Sequence, residues 1–513
     1  MDLNENWRTD NFYNNKSELQ RFYDNTNVFL TGGTGFLGKL LIEKLLRCTE
    51  VSTIYMLIRE KRGKTTQERL DRYFNDVVFD RLKSVKSKFK NKIIPVQGDC
   101  TLAGLGLSLN DRNMLINNIN IVFHVAATVN FDEKLRLAYS INVKGTESVL
   151  NLSKQAENLK SFIYVSTAYS NCHLSKIDET FYDVINYKDV ELLLEKIDDE
   201  QVQLCTEKIL GKWPNTYTFT KALAESLIRD QGNGISVGIF RPAIVTSTYK
   251  EPLKGWVDNL YGPTGACTGA ASGVLRVMQC VQENSANIVP ADLCVSALIA
   301  SAWDTNQINS AKTHLNIPIY NYVSVVDNPI TWEEYYTINK MYGEIYPLSN
   351  ALWCIKFMLT SNRSVYNLMK VLYHYIPGVS LDFLGLFLGK KPSFCKLYNK
   401  VHKFSDVVTY FAISDLKFTN NNVNKLWGKL SEEDQKVFSF NIANLNWIDY
   451  LKTYILGIRL YLLKDPIETI PQARQRQTIL KLLHVLMKMT FWVFSINFLS
   501  NFLINSVKKG LIN

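Results

Sequence analysis

The sequence predicts an α/β protein: a doubly wound parallel sheet, then a mainly helical C-terminal region, then a hydrophobic C-terminal helix. Three observations predict it. Short β-branched and apolar runs alternate with amphipathic stretches through roughly the first two thirds of the chain. The first of those runs feeds a glycine-rich turn. From about Trp332 the alternation gives way to helical, aromatic and basic sequence that ends in the charge-free stretch Met489–Val507.

The turn is VFLTGGTGFLG, Val28–Gly38, followed by an amphipathic run from Lys39 to Arg47. The order reads strand, tight turn, helix, the opening of a Rossmann-type dinucleotide fold. Thr31, Gly32, Gly33, Thr34, Gly35, Phe36, Leu37 and Gly38 are the candidate phosphate cradle. One glycine takes a left-handed turn, one lets a pyrophosphate approach the backbone, and one lets helix and strand pack closely. The helix N-terminus then offers unpaired N–H groups and the positive end of a dipole. The spacing is GxxGxxG rather than GxGxxG, and Gly-rich turns also serve as plain connectors.

A second strand, Val51–Ile58, ends at Arg59, with Lys61 and Arg62 beyond it. An acidic residue at such a strand end grips the adenosine 2′-hydroxyl, whereas arginine suits a 2′-phosphate, so Arg59 and Arg62 predict NADPH; a solvated basic loop is the plainer reading. A third strand, Lys92–Asp99, closes with Asp99, which either accepts from the adenine amino group or caps the next helix. A fourth, Ile121–Ala127, ends in Ala126 and Ala127, small enough for a ribose to lie against the backbone. His124 within that run reads as a core residue more readily than as a catalyst, and Asn142 is placed to cap a helix or hold water.

Catalysis is expected from a fifth strand, Ser161–Thr167, ending in Ser166 and Thr167, and from Tyr217-Thr-Phe-Thr-Lys221. Tyr and Lys four apart on a helix share one face, so an ammonium beside the phenol is expected to lower its pKa from about 10. YxxxK alone is common; after a dinucleotide turn and a Ser-Thr strand end it points to a catalytic site. A sixth strand covers Ile235–Ile239 and a late one His314–Ser324. Between and beyond lie an insertion over Asn171–Pro214, a Gly-rich loop over Gly255–Gly273 read as binding surface, a helix from Val289 to Trp303, and a core helix near Ala351–Leu359.

At 513 residues, 46% hydrophobic and 21% charged, the chain is long enough for two globular units. A net charge of +10 suits CoA phosphates, nucleic acid or anionic lipid equally. Nine scattered Cys without a CxxC or zinc spacing predict reduced thiols and no metal. The N-terminal thirty residues have no secretory pattern. Met489–Val507 approaches the roughly 20 residues of a membrane span, yet Asn497, Asn501 and Asn505 form one polar stripe. A spanning helix, a helix lying flat on the membrane and a core helix all fit that pattern.

TGGTGFLGK (31–39), IRxKRG (58–63), VSTAYSN (165–171), NTYTFTKALAE (215–225), RPAIV (241–245) and GWVDNLYGPTG (255–265) resemble signatures of the extended short-chain dehydrogenase/reductases, and within them the alcohol-forming fatty acyl-CoA reductases of the animal type. KFTNNNVNKL (417–426), LSEEDQKVFSFN (430–441) and WIDYLKTYILGIRLYLLK (447–464) are similar to that family's helical C-terminal region. Asn441 departs from the family's usual Asp. The resemblance implies reduction of long-chain acyl-CoA to a primary alcohol with two NADPH through an aldehyde. Tyr217 and Lys221 would be catalytic, helped by Thr167 and Ser166, and Pro242 would join the cofactor-binding residues. It implies a catalytic domain over 20–330, a helical domain over 350–465 and a membrane-associated tail over 480–508. Membrane lipid rather than nucleic acid is the expected partner, at the endoplasmic reticulum or peroxisome with the catalytic domain in the cytosol; oligomeric state stays open. The alternatives are a reductase or dehydrogenase of steroids or other apolar carbonyls, which would share Tyr217 and Lys221, and a non-catalytic nucleotide-sensing scaffold.

Overall fold

Alternating apolar runs become strands when both faces are to be covered, and here seven of them form one parallel sheet. The computed structural model describes residues 16–60, 63, 65–310, 317–389 and 391–510. β1 (Asn27–Thr31), β2 (Thr53–Ile58), β3 (Ile93–Gln97), β4 (Ile121–His124), β5 (Ser161–Val165), β6 (Val237–Pro242) and β7 (Ile319–Tyr322) lie in the order 3-2-1-4-5-6-7. Successive strand residues point to opposite faces, and every residue of β4, β5 and β6 is buried, so both faces are packed.

The chain runs outward from β1 through β2 to β3 and then returns to β4 on the other side of β1. That reversal opens a crevice beyond the carboxyl ends of β1 and β4. Thr31 pairs in register with His124, and His124 with Tyr164, so the turn after β1, the Ala126 segment after β4 and Ser166-Thr167 after β5 emerge along one edge. At about 4.8 Å per strand they lie within roughly 10 Å of one another.

Three helices matter to this edge: α1 (Phe36–Cys48), α2 (Thr216–Gln231) and α3 (Ala291–Ser310), which packs against α1. The apolar stripe of α1 is buried as its periodicity predicts. Glu43, Lys44 and Arg47 are buried with it, which the pattern does not predict. They are tolerated because they are paired: Arg47 Nε donates to Glu43 Oε1 at 2.7 Å and Nη2 to Glu251 Oε2 at 2.9 Å, and Lys44 also bonds Glu251.

Two stretches differ from the sequence expectation. Gly262–Ala271, read as loop, is helical, with Pro263 in its first turn. Its small residues permit close packing: a Cβ on Gly269 would stand 2.9 Å from Leu275 Cβ. Ala351–Leu359, read as a core helix, instead leads into a short strand, Met358–Thr360, paired in parallel with Val277–Gln279. There a tertiary partner outweighs the local apolar pattern.

The chain divides into two compact units. One comprises residues up to Asn259, Glu283–Tyr335 and Tyr410–Gly457; the other comprises Leu260–Gln282, Tyr336–Thr409 and Ile458 onward. The first holds the sheet and the site. Within the second, α4 (Ile376–Phe387) and most of α5 (Phe394–Ile413) pack around a buried His374–His402 pair, Nδ1 to Nε2 at 3.0 Å. The same unit carries α6 (Ile470–Gly510). Ile467–Asn501 is long and apolar enough to cross a membrane, with a mean hydropathy of 1.6 over its best window and only 6% of that window buried. Exposure on that scale excludes the core-helix reading of the tail.

Candidate active site

The glycine turn is built for close approach. Gly32 has φ +74°, and a Cβ there would stand 2.6 Å from the Ala126 nitrogen. A Cβ on Gly38 would stand 2.3 Å from the Gly32 oxygen and 2.6 Å from Gly33 Cα. Gly35 begins α1 without a side-chain cap, and Thr34 and Gly35 are exposed at that helix end. This cradle fits a pyrophosphate: uncapped N–H groups, a positive dipole end and no side chain in the way. Tyr73 donates to the Gly33 oxygen at 2.9 Å. Phe36 stacks on Trp256 at 5.4 Å, and Lys39, paired with Asp76 and Asp258, lies against the same indole.

His124 sits beneath the turn. Thr146 Oγ1 donates to the Asn142 oxygen at 2.6 Å, so it accepts from His124 Nε2 at 3.0 Å. The Thr31 hydroxyl then donates to Nδ1 at 2.6 Å and accepts from the Ala126 N–H at 3.2 Å. Burial lowers the imidazole pKa to about 3. His124 is therefore a neutral core residue that ties the turn to the end of β4, as the sequence reading favoured.

α2 starts at Asn215, whose Oδ1 accepts from the Thr218 N–H at 2.9 Å. The Thr216 hydroxyl anchors this end to the Glu133 oxygen at 2.9 Å. Tyr217 is thereby set beside the end of β5, near Thr167, whose own hydroxyl accepts from the Tyr169 N–H at 3.2 Å. Lys221, one turn on, is buried, donates to the Val165 oxygen at 2.7 Å and lies 4.6 Å from the centroid of Tyr164. Asn142, in a π-helical turn, accepts from the Thr128 N–H at 3.0 Å and donates to Thr220 Oγ1 at 2.9 Å, joining the β4 side to α2.

Two details differ from the sequence reading. Burial pushes the Tyr217 phenol up to about 12, a rise that the nearby Thr167 hydroxyl partly offsets. Lys221 has its own pKa lowered to about 7 by burial, against which Glu225 acts in the raising direction. The expected depression of the phenol by this amine is thus not what the free protein displays, because both groups are desolvated and the amine is turned to a carbonyl and a ring. Ser166 is likewise turned away from the phenol. Its hydroxyl donates to Glu225 Oε1 at 2.5 Å, and Glu225 holds the buried Arg241 guanidinium at 2.7 Å. Consecutive residues at a strand end face opposite ways, so only one of Ser166 and Thr167 meets the helix face of Tyr217.

Of the other expected cofactor residues, Ala126 and Ala127 line the β4 end and are half-buried; Arg59 is exposed just past β2. Asp99 Oδ1 accepts from the N–H and hydroxyl of Thr101 at 2.9 and 3.0 Å, a local turn, and it does not cap the helix that follows, Ala103–Gly106. Pro242, at the end of β6, accepts from the Ala168 N–H at 2.9 Å. Arg62, and Lys61 beside it, lie outside the described residues. Sequence reasoning misses the aromatic wall at Tyr217: Phe131 stacks on it at 5.4 Å, Phe411 meets Phe131 at 5.6 Å, and Tyr169 meets Phe411 at 5.1 Å. These rings come from three distant stretches, and periodicity does not connect them.

An NAD-binding family model described as male sterility protein matches residues 30–298, and a second model, Sterile, with the same description matches 373–465. Fatty acyl-CoA reductase wat of Drosophila melanogaster is 43% identical over 470 residues, 91% of this chain and 90% of that protein. The chain belongs to the fatty acyl-CoA reductase family. Fatty acyl-CoA reductase 1 of Homo sapiens is 37% identical over 461 residues, 89% of this chain and 88% of that protein. The sheet of this fatty acyl-CoA reductase family member also matches solved reductase domains in fold. The terminal R domain of the myxalamid PKS-NRPS pathway has a TM-score of 0.56 at 18% identity, over 85% of this chain and 91% of that one. The reductase domain of a nonribosomal peptide synthetase from Mycobacterium tuberculosis has a TM-score of 0.55 at 17% identity, over 85% and 92%. The family member is an oxidoreductase with a Rossmann-type site for a nicotinamide cofactor.

Proposed function

We propose that the protein is an NADPH-dependent, alcohol-forming fatty acyl-CoA reductase that converts a long-chain acyl-CoA to the primary alcohol and free CoA through the aldehyde. The observation that supports this reading is the convergence of Tyr217, Thr167 and Lys221 at the carboxyl end of β5, two strands from the glycine cradle. Thr31–Gly38, Ala126, Ala127 and Pro242 hold the dinucleotide, with Asp99 toward the adenine and Arg59 and Arg62 toward a 2′-phosphate.

When bound, the reduced nicotinamide supplies the hydride for each of two reductions. Tyr217 and Thr167 donate hydrogen bonds to the thioester oxygen as it gains negative charge, and the phenol, protonated at any working pH, delivers the proton. Collapse of the hemithioacetal re-forms a carbonyl, breaks the C–S bond and releases CoA as its thiol. The same two hydroxyls then serve the aldehyde. Lys221 orients the nicotinamide ribose. Phe131, Tyr169 and Phe411 keep water from the reacting carbon and supply an apolar wall for the chain next to it.

The domain assignment follows: 20–330 for NADPH binding and catalysis, 350–465 as the helical region, and 480–508 as a membrane-associated tail through which α6 attaches the enzyme to the endoplasmic reticulum or peroxisome, catalytic domain to the cytosol. Incubating purified protein with NADPH and a panel of long-chain acyl-CoAs tests the reading, with alcohols identified by gas chromatography and CoA by a thiol reagent. Tyr217→Phe should abolish alcohol formation and leave NADPH binding intact. Alcohol production at the wild-type rate by that variant would overturn the assignment.

A further inference from the structure

The second unit exposes a segment whose chemistry is unlike a protein surface. From Ile376 to Leu388 the chain carries one charged residue, Asp382, and that carboxylate is consumed internally. Its oxygens accept from the N–H groups of Ser393, Phe394 and Cys395 at 2.7, 2.9 and 2.9 Å, capping the start of α5. One side of α4 is covered, with Gly378 and Asp382 buried and Gly385 half-buried, and Gly378 is tight against the Tyr398 ring. The remainder is exposed and, Ser380 apart, apolar: Phe387 is 75% exposed, Leu388 73%, Phe383 and Leu384 58% each, Leu386 57% and Val379 56%.

At 100° per residue these positions sweep about 200° of the helix circumference, with the exposed Ser380 the one polar side chain inside the arc. A partner helix or groove is read by a stripe about 100° wide. A surface that is apolar over so wide an arc suits a solvent rather than a partner. We propose that α4 and the turn after it, residues 376–389, insert into the lipid interface as a second membrane-contacting element, separate from α6. At about 18 Å the helix is too short to cross a hydrocarbon core of about 30 Å, so it enters one leaflet only. Lys391, Lys396 and Lys400 follow it and are exposed, a charge complement to anionic headgroups at the rim of an inserted hairpin.

The test uses the full chain on vesicles of phosphatidylcholine and phosphatidylserine carrying a trace of phospholipid with a photoactivatable acyl chain, followed by peptide mapping. Lipid adducts are expected within 376–389 as well as within α6. The double variant Leu384→Glu with Phe387→Glu should lose the 376–389 adducts by at least about fivefold while keeping those on α6, its NADPH binding unchanged. Charge reversal at Lys391, Lys396 and Lys400 should reduce the 376–389 adducts on anionic vesicles and leave them unchanged on neutral ones. Adducts confined to α6 would overturn the inference and leave the tail reading standing. Adducts on neither segment would overturn both. Cross-links joining 376–389 of two copies without vesicles would overturn it in favour of self-association.

Discussion

The Lys221 ammonium lies 4.6 Å from the ring centroid of Tyr164 and donates to the carbonyl of the next residue, Val165. An amine held there is buried on α2 with its charge facing a ring and a single carbonyl, and burial lowers its pKa from 10.5 to about 7. The unfolded chain keeps that proton to about pH 10.5, so between 7 and 10.5 the unfolded state binds more protons than the folded one. Stability from this site therefore rises as pH rises through that window, and below 7 the full cost of the buried charge is present. Relative to Lys221→Met, the free wild-type enzyme should gain thermal stability between pH 7 and 9, measured by calorimetry. A constant difference in Tm across that range would show that the amine titrates normally.

Thr167 and Ser166 are neighbours with different duties, and a pair of variants separates them. Thr167→Val removes the hydroxyl beside Tyr217 and should cut kcat roughly 100-fold with little change in KM, the signature of an interaction made mainly in the transition state. Ser166→Ala should leave kcat within about threefold and lower Tm, since its hydroxyl is spent on Glu225. Equal kinetic losses in the two variants would mean that Ser166 reaches the substrate.

The sheet was legible because its chemistry is local. Val28–Leu30, Ile121–His124 and Ser161–Val165 announce themselves as apolar runs, and Gly32, Gly35 and Gly38 as a turn, without any knowledge of neighbours. Tyr217 and Lys221 were legible because four residues on a helix make one face. What could not be read depends on contacts between distant stretches. Whether Thr167 or Ser166 meets the phenol is decided by strand twist and by the Glu225–Arg241 pair, Phe131 and Phe411 converge from 280 residues apart, and Ala351–Leu359 gave up a helix because Val277–Gln279 offered a sheet partner. The environment of Lys221 was misjudged for the same reason: spacing places an amine near a phenol but does not tell how much water either keeps.

The glycine cradle yields a binding prediction free of chemistry. A Cβ on Gly38 would stand 2.3 Å from the Gly32 carbonyl oxygen, a backbone atom with nowhere to go. Gly38→Ala must therefore displace the turn, and the Kd for NADPH, measured by fluorescence titration, should rise about tenfold to a hundredfold. Affinity unchanged from wild type would place the pyrophosphate elsewhere.

On the proposed reading, cofactor choice rests on Arg59, which is exposed just past β2. A charge-assisted bond to a 2′-phosphate is worth about 1.5–3 kcal/mol, so Arg59→Ala should weaken NADPH binding roughly ten- to hundredfold while leaving NADH binding nearly as it was. The ratio of kcat/KM for the two cofactors reads this directly. If both fall together, the residue supports the loop rather than the phosphate.

The last prediction concerns the brace behind the site. Arg241 is wholly buried, and its charge is met by both oxygens of Glu225, at 2.9 and 2.7 Å, and by the carbonyls of Asp178 and Thr180 at 3.0 and 2.9 Å. Glu225 sits on α2 one turn beyond Lys221, so the pair fastens α2 to β6 and to the 178–180 segment. Removing the carboxylate strands a guanidinium without its counter-charge, and Glu225→Ala should cost about 3–5 kcal/mol by denaturant unfolding. Glu225→Gln keeps an acceptor for the guanidinium and for Ser166 and should cost clearly less. The double variant Glu225→Leu with Arg241→Met, which removes both charges, should recover much of the loss, because the penalty lies in the orphaned charge rather than in the missing contact. If it unfolds as readily as Glu225→Ala, the carbonyl contacts from Arg241 to Asp178 and Thr180, and not the ion pair, hold α2 in place.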